Sequence, residues 1–393
     1  MSNRLRRIFI WTHLGLGLFA SLFFLVMCAT GVILAFRPQL ERHLNHWGAS
    51  SRPPISGAQP LPIETLIQHV REIAGGSPQS VTVYPDAHAT VDVYLGRDDG
   101  TVYVDAYTGA VVGRPSKAVF AFFAGLMDWH TAMGLHGNKR PGATLIDAAN
   151  LLSFVVIVIG LYLWFPRKWT WHHVKAVLVF RPRLTGKARD FNWHNVIGIW
   201  TLIPLAIMVW SGVALSYGWA DRMTLKAVAL VQRAEADRPQ SRKMGAVNPD
   251  GELTSSQVKA VGLDALLDQA KSRLPAWKSI RITVPESITE PVHFTMDPTG
   301  YGLLKGGFSS QLQLMRSGEE VGFQGPRRVK GRGIYRFAHT GELWGEGGQT
   351  VAMLGSFGGV VLVWTGASLS LRRFRSYFQK SDSHYGIRRE TAS

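Results

Sequence analysis

Four runs of the 393-residue chain, 8–36, 142–166, 193–217 and 349–371, contain neither lysine nor arginine and are dominated by apolar side chains. Each is longer than the roughly 20 helical residues needed to cross the hydrocarbon layer of a bilayer. A soluble core has no place for four such runs, so the pattern predicts a membrane α-helical fold with four transmembrane helices. The same pattern divides the chain. A tail and first span (1–36) lead to a large connection (37–141), a second span (142–166) and a short loop (167–192). The third span (193–217), a second large connection (218–348), the fourth span (349–371) and a tail (372–393) follow.

Charge orients these segments. Residues 1–7, 167–192 and 372–393 hold 3, 7 and 6 Lys/Arg against three acids, Asp190, Asp382 and Glu390. The two large connections hold 27 Lys/Arg and 23 acids and are near balance. The positive-inside rule then places both termini and the 167–192 loop in the cytoplasm and both connections outside. The net charge of +16 therefore reports topology. Its division among three membrane-flanking stretches argues for lipid and against nucleic acid as a partner. Arg4, Arg6 and Arg7 precede an apolar stretch as in a signal peptide, but that stretch is too long and lacks a small-residue cleavage site, so it reads as a retained anchor. The single cysteine, Cys28, lies in that anchor. The connections are expected to fold without disulfides, and no thiolate-held metal centre can be assembled.

His13, His130, His194 and His339 stand one at the head of each span, on alternating sides. An imidazole in or beside a membrane is costly unless it is paired or ligating, which makes each a functional candidate. Neutral imidazoles on facing helices can fill both axial positions of a haem iron. Zinc or copper wants three or four clustered donors, which these spacings do not offer. Two haems are the expected cofactors. Depth pairs His13 with His194 at the cytoplasmic end, and His339 with either His130 or His136 at the outer end. Counting back from Gly160 does not separate those two. Arg140, Arg332 and Arg336 flank the outer histidines and are candidate partners for haem propionates. Asp147 and Asn150 are polar positions within the second span. His172 and His173 read as interfacial, and His43, His46, His69, His88, His293 and His384 as surface residues.

The spans also repeat. Trp11-Thr12-His13 and Trp193-His194 are each followed by glycine four positions after the histidine, at Gly17 and Gly198. A second glycine comes 18 positions after each histidine, in Thr30-Gly31 and Ser211-Gly212. The second and fourth spans echo one another through His130-Thr131 and His339-Thr340 and through Gly160 and Gly366. Each connection reads as a small α+β unit. In the first, a helix over 62–73 precedes strands at 80–84, 91–95 and 102–106. In the second, a helix near 258–273 precedes strands near 279–284 and 291–296 and a pair within 302–323.

Trp11–Gly17 with Thr30-Gly31, Trp129-His130, Gly160–Arg167, Asp190–Gly198 with Ser211-Gly212, and Phe337–Gly341 with Thr365-Gly366 together resemble the PepSY-associated transmembrane family. Val102–Gly113 resembles the end of a PepSY module, which makes the two external units PepSY-like. Within the family the chain looks most like bacterial inner-membrane ferric-siderophore reductases, the ferrioxamine reductase in particular. The resemblance implies two b-type haems on the histidines heading the spans and favours His130 over His136. It also implies reduction of a ferric siderophore, such as a hydroxamate, in the periplasm. No cytoplasmic segment is long enough for a flavin or nicotinamide domain, so the expected electron donor is a quinol or a separate cytoplasmic reductase. Three readings compete: a haem-free PepSY protein that regulates a periplasmic partner, a di-haem carrier serving a protein or quinone, and a siderophore transporter.

Overall fold

The computed structural model describes residues 3–135, 137–165, 170–236, 261–299, 309–325 and 331–390. In chain order these form α1 (Asn3–Leu34), α2 (Arg37–Asn45), α3 (Ile63–Ala74), β1 (Ser80–Val83), β2 (Val91–Tyr94), β3 (Thr101–Val104) and β4 (Val111–Gly113). Next come α4 (Lys117–Ala132), α5 (Arg140–Trp164), α6 (Trp171–Leu178), α7 (Gly186–Trp200), α8 (Leu202–Ser216) and α9 (Gly218–Ala236). The last group is α10 (Leu263–Arg273), β5 (Ser279–Thr283), β6 (Val292–Asp297), β7 (Ser310–Leu314), β8 (Glu320–Gln324), α11 (Arg332–Thr340) and α12 (Gly345–Glu390). They divide into a helical unit, Met1–Phe36, Phe123–Val228 and Ile334–Ser393, and a sheet unit, Arg37–Phe122 and Ala229–Gly333.

In the helical unit, stretches Arg4–Leu34, Arg140–Trp164 and Glu342–Gln379 are each long and apolar enough to cross a membrane. The third predicted span differs from expectation. It is a bent pair, α7 and α8, turning by 69° at Thr201. The cause is local: Pro204 lacks the N–H that would bond the Trp200 carbonyl, and its ring crowds that carbonyl. The unit turns large apolar side chains outward and buries hydroxylated and amide residues among its apolar ones. Phe19, Leu22, Ile203, Phe357 and Trp364 are exposed, whereas Thr30, Asn150, Ser153, Ser211, Ser356 and Thr365 are buried. That distribution suits hydrocarbon surroundings, where small and hydroxylated residues let helices approach closely. α12 shows the approach directly. A Cβ added to Gly358 would lie 2.4 Å from Thr201 Cγ2, and one on Gly359 2.4 Å from Cys28 Sγ. Cys28 is thus a buried packing residue against α12.

The sheet unit corrects the expectation of two separate α+β modules. The elements fall where their periodicity places them, but all eight strands form a single antiparallel sheet, ordered β4-β3-β2-β1-β5-β6-β7-β8. Two four-stranded meanders join edge to edge where β1 pairs β5, with Val81 opposite Ile282 and Val83 opposite Ile280. Each meander's first strand thereby covers the other's exposed edge, which an isolated small sheet would leave open to aggregation. One face carries the core, built from Val81, Val93, Val102, Ile280, Ile282, Phe294 and Leu312. Helices α3 and α10 close it with the same spacing, Ile63, Leu66, Ile67 and Val70 matching Leu263, Leu266, Leu267 and Ala270.

The two helices also cap each other. The Ile63 N–H donates to the Asp264 carboxylate at 3.1 Å, and the Leu263 N–H donates to Glu64. This reciprocal exchange satisfies orphan donors at both helix starts. Burial acts to raise the Glu64 pKa, but the Leu263 N–H and the Arg316 guanidinium outweigh it, and the net shift is downward. Burial, joined by the charge of Glu64, carries Asp264 upward. The later strand pair expected within 302–323 appears as β7 and β8, with residues 302–308 outside the described residues.

Candidate functional site

The helical unit brings the four span-heading histidines together in the two pairs that depth predicts. His13 on α1 and His194 on α7 lie with ring centroids 6.4 Å apart and planes at 83°. His130 on α4 and His339 on α11 lie 6.2 Å apart at 76°. His130 is thus the residue facing His339. His136, the other candidate, lies outside the described residues.

Each ring is held by its Nδ1, and the partners fix where the proton sits. His13 Nδ1 is 3.1 Å from the Val156 carbonyl and His339 Nδ1 is 2.8 Å from the Met208 carbonyl. A carbonyl only accepts, so both nitrogens donate. The other two rings reach hydroxyls: His130 Nδ1 to Thr30 Oγ1 at 2.8 Å, and His194 Nδ1 to Thr365 Oγ1 at 3.0 Å. Those hydroxyl protons are already committed to their own helices, Thr30 to Val26 O at 2.6 Å and Thr365 to Val361 O at 2.8 Å. Ser211 behaves alike, donating to Ile207 O at 2.6 Å while meeting His339 Nδ1 at 2.9 Å. With one proton spent, each oxygen accepts from the imidazole. All four neutral rings therefore carry the proton on Nδ1 and keep the Nε2 lone pair for a ligand.

Glycines line the rings. A Cβ on Gly160 would come 3.1 Å from His13 Cε1, and one on Gly366 3.1 Å from His194 Cε1. A Cβ on Gly31 would meet Ser356 Oγ first, at 3.0 Å, with His130 Cε1 in ordinary contact at 3.8 Å. Gly212 departs from the pattern: its nearest neighbour is the Asn150 amide at 2.6 Å, while Ser211 beside it takes the histidine.

The residues fit a haem. Among the described residues no group of three or more His, Cys, Asp or Glu could hold a metal ion, so each site offers two imidazoles. Two donors suit a metal that arrives with its own in-plane nitrogens. Imidazole nitrogens bond such metals at about 2.0–2.1 Å, so two rings sharing one iron stand about 6.4 Å apart between centroids. The observed spacings match that figure.

Other sequence candidates fall elsewhere. Arg140 opens α5 and Arg336 lies on α11, both exposed. Asp147 accepts from Ser216 Oγ, and Asn150 Nδ2 donates to the Val209 carbonyl at 3.1 Å, so both tie α5 to α8. The side chains of His172 and His173 are outside the described residues. His46, expected at the surface, is instead partly buried in the sheet unit. It donates to Asp92 at 3.1 Å and to the Arg42 carbonyl at 2.8 Å, and stacks on Tyr103. Sequence reading missed the histidine acceptors Thr30, Ser211 and Thr365. The available signal was the hydroxyl immediately before three of the four glycines, Thr30-Gly31, Ser211-Gly212 and Thr365-Gly366.

Residues 10–373 match the family model described as the PepSY-associated TM region. No curated protein matches the chain.

Proposed function

Because the chain belongs to the PepSY-associated TM family, a family of membrane proteins, we propose that it is a haem-dependent oxidoreductase of the bacterial inner membrane. In this reading it passes electrons outward to a ferric siderophore in the periplasm. His13 and His194 would hold one b-type haem near the cytoplasmic end, and His130 and His339 a second near the outer end. The observation that carries the reading is the pair of two-imidazole sites at 6.4 and 6.2 Å, with every Nδ1 committed as a donor. Held by these imidazoles, a haem would supply reversible one-electron transfer.

The chain's own residues do the rest. The Nδ1 acceptors orient the rings and make Nε2 more basic. Gly31, Gly160 and Gly366 leave room beside the rings. Apolar surroundings exclude water, which favours electron transfer over side reactions. The external sheet unit would present the surface that meets the chelate. Siderophore oxygens are hard donors suited to Fe(III), so one electron per iron weakens their hold and frees Fe(II). The donor on the cytoplasmic or membrane side would be a quinol or a separate reductase.

The test is stopped-flow reoxidation. Dithionite-reduced protein, mixed anaerobically with ferric hydroxamate and ferric catecholate chelates, is expected to reoxidise with saturable dependence on at least one, releasing Fe(II) stoichiometrically to a chromogenic trap. Reoxidation by quinone or protein acceptors alone would assign the chain to general electron transfer and sink the siderophore reading.

A further inference from the structure

We propose that Asp190 is a positioning residue for the His13–His194 pair, clasping α7 to α12 so that His194 meets Thr365 and Gly366 in register. The purpose assigned to the pair rests on the function proposed above, whereas the clasp is a property of the helical unit alone.

Asp190 lies one helical turn before His194 on α7 and is 1% exposed. Burying a carboxylate is costly unless its oxygens are paired, and here both are. Oδ1 accepts from Arg189 Nε at 3.1 Å and Nη2 at 2.9 Å. Oδ2 accepts from Ser368 Oγ at 2.9 Å and lies 3.4 Å from the Arg372 guanidinium. Ser368 follows Thr365 on α12 by three residues. The Asp190–Ser368 and His194–Thr365 contacts are therefore parallel tethers between the same two helices, one turn apart.

The internal repeat shows why this half needs the tether. Four positions before His13 stands Phe9, and two positions after Gly160 stands Tyr162, matching Asp190 and Ser368. Those two meet edge to face, with centroids 4.9 Å apart. The corresponding place is thus an apolar contact in one half and a charged clasp in the other. α1 is a single 32-residue helix, so its whole length fixes the height of His13. α7 has 15 residues and turns by 69° into α8, so no long straight helix continues its axis. An apolar contact tolerates sliding, whereas a directional carboxylate–hydroxyl bond with a guanidinium behind it does not.

The plainer role for an acid in the first turns of a helix is to complement the helix dipole. Moving the carboxylate across the interface separates the two. The experiment uses the full chain in detergent, in a His130→Ala/His339→Ala background so that only the first pair reports. The variants are Asp190→Ala, Ser368→Ala and the exchanged double Asp190→Ser/Ser368→Asp. One readout is hydrogen exchange of peptide 186–200 against peptide 3–17, measured on haem-free protein. The other is the low-spin fraction and midpoint potential of the remaining haem.

Asp190→Ala is expected to speed exchange in 186–200 by about tenfold or more while 3–17 is unchanged, to lower the low-spin fraction and to shift the potential. The exchanged double should recover all three, since the carboxylate–hydroxyl pair is restored from the opposite side. Ser368→Ala should show the same pattern more weakly and carries the test if Asp190→Ala does not accumulate. Unchanged exchange in 186–200, or an exchanged double as impaired as Asp190→Ala, overturns the proposal. A haem-free parent would instead refute the functional reading, and the exchange comparison would still decide the clasp.

Discussion

Replacing Thr365 with valine removes the hydroxyl that accepts His194 Nδ1–H at 3.0 Å and keeps the side chain's shape. The donor stays buried without its partner, a loss of about 1–3 kcal/mol. The lower end of that range corresponds to about tenfold in haem affinity at this pair. Ser211→Ala is the internal control. His339 Nδ1 already has a full bond to the Met208 carbonyl at 2.8 Å, so losing the Ser211 hydroxyl should change affinity at the other pair by less than about threefold. The assay is titration of haem into apo-protein, each variant in a background retaining one histidine pair. Thr365→Ser should restore parental affinity. A Thr365→Val protein that binds as the parent does, or a Ser211→Ala protein that loses more than Thr365→Val, would refute the assignment of Nδ1 as the orienting nitrogen.

Gly160→Ala and Gly366→Ala each place a methyl about 3.1 Å from a histidine Cε1 and should shift the axial-ligand signature of the His13–His194 pair in electron paramagnetic resonance, leaving the other pair alone. Ile280→Ala at the β1–β5 seam removes a fully buried side chain and should cost the sheet unit about 2–5 kcal/mol, read as lost exchange protection in both meanders together. Burial acts to lower the His46 pKa, but the bond to Asp92 and its charge, with the Arg42 carbonyl, outweigh it and raise the pKa. Its contribution is therefore full below about pH 6.5 and fades as pH rises through the raised value. Exchange protection in β2 should weaken over that interval, and His46→Gln should flatten the profile.

Much of this architecture is legible because hydrophobic period and length are local signals. The runs near α1, α5 and α12 announce themselves by lacking lysine and arginine, and strands β1 to β3 by alternating valines between turn residues. The histidine pairing is legible for a different reason: depth in a membrane is a single coordinate, and both members of each pair stand at the same end of their spans. What escaped is non-local. The joining of β1 to β5 depends on two edges nearly 200 residues apart, and nothing in Ser80–Val83 marks it as seeking Ser279–Thr283. The bend at Thr201 was visible in principle through Pro204, yet an apolar run with one proline still reads as one span. The hydroxyl acceptors were masked by their glycines, whose role in close packing accounts for the same dipeptides. Asp190 looked like one acid among basic loop residues, because the guanidinium and hydroxyl that pair with it on α12 are almost 180 positions away.

The account stands most directly on haem stoichiometry. Full-length protein purified from haem-replete cells should contain two b-type haems per chain, and His13→Ala or His339→Ala should each remove one and spare the other. A colourless protein, or one whose absorption bands survive replacement of all four histidines, would contradict it.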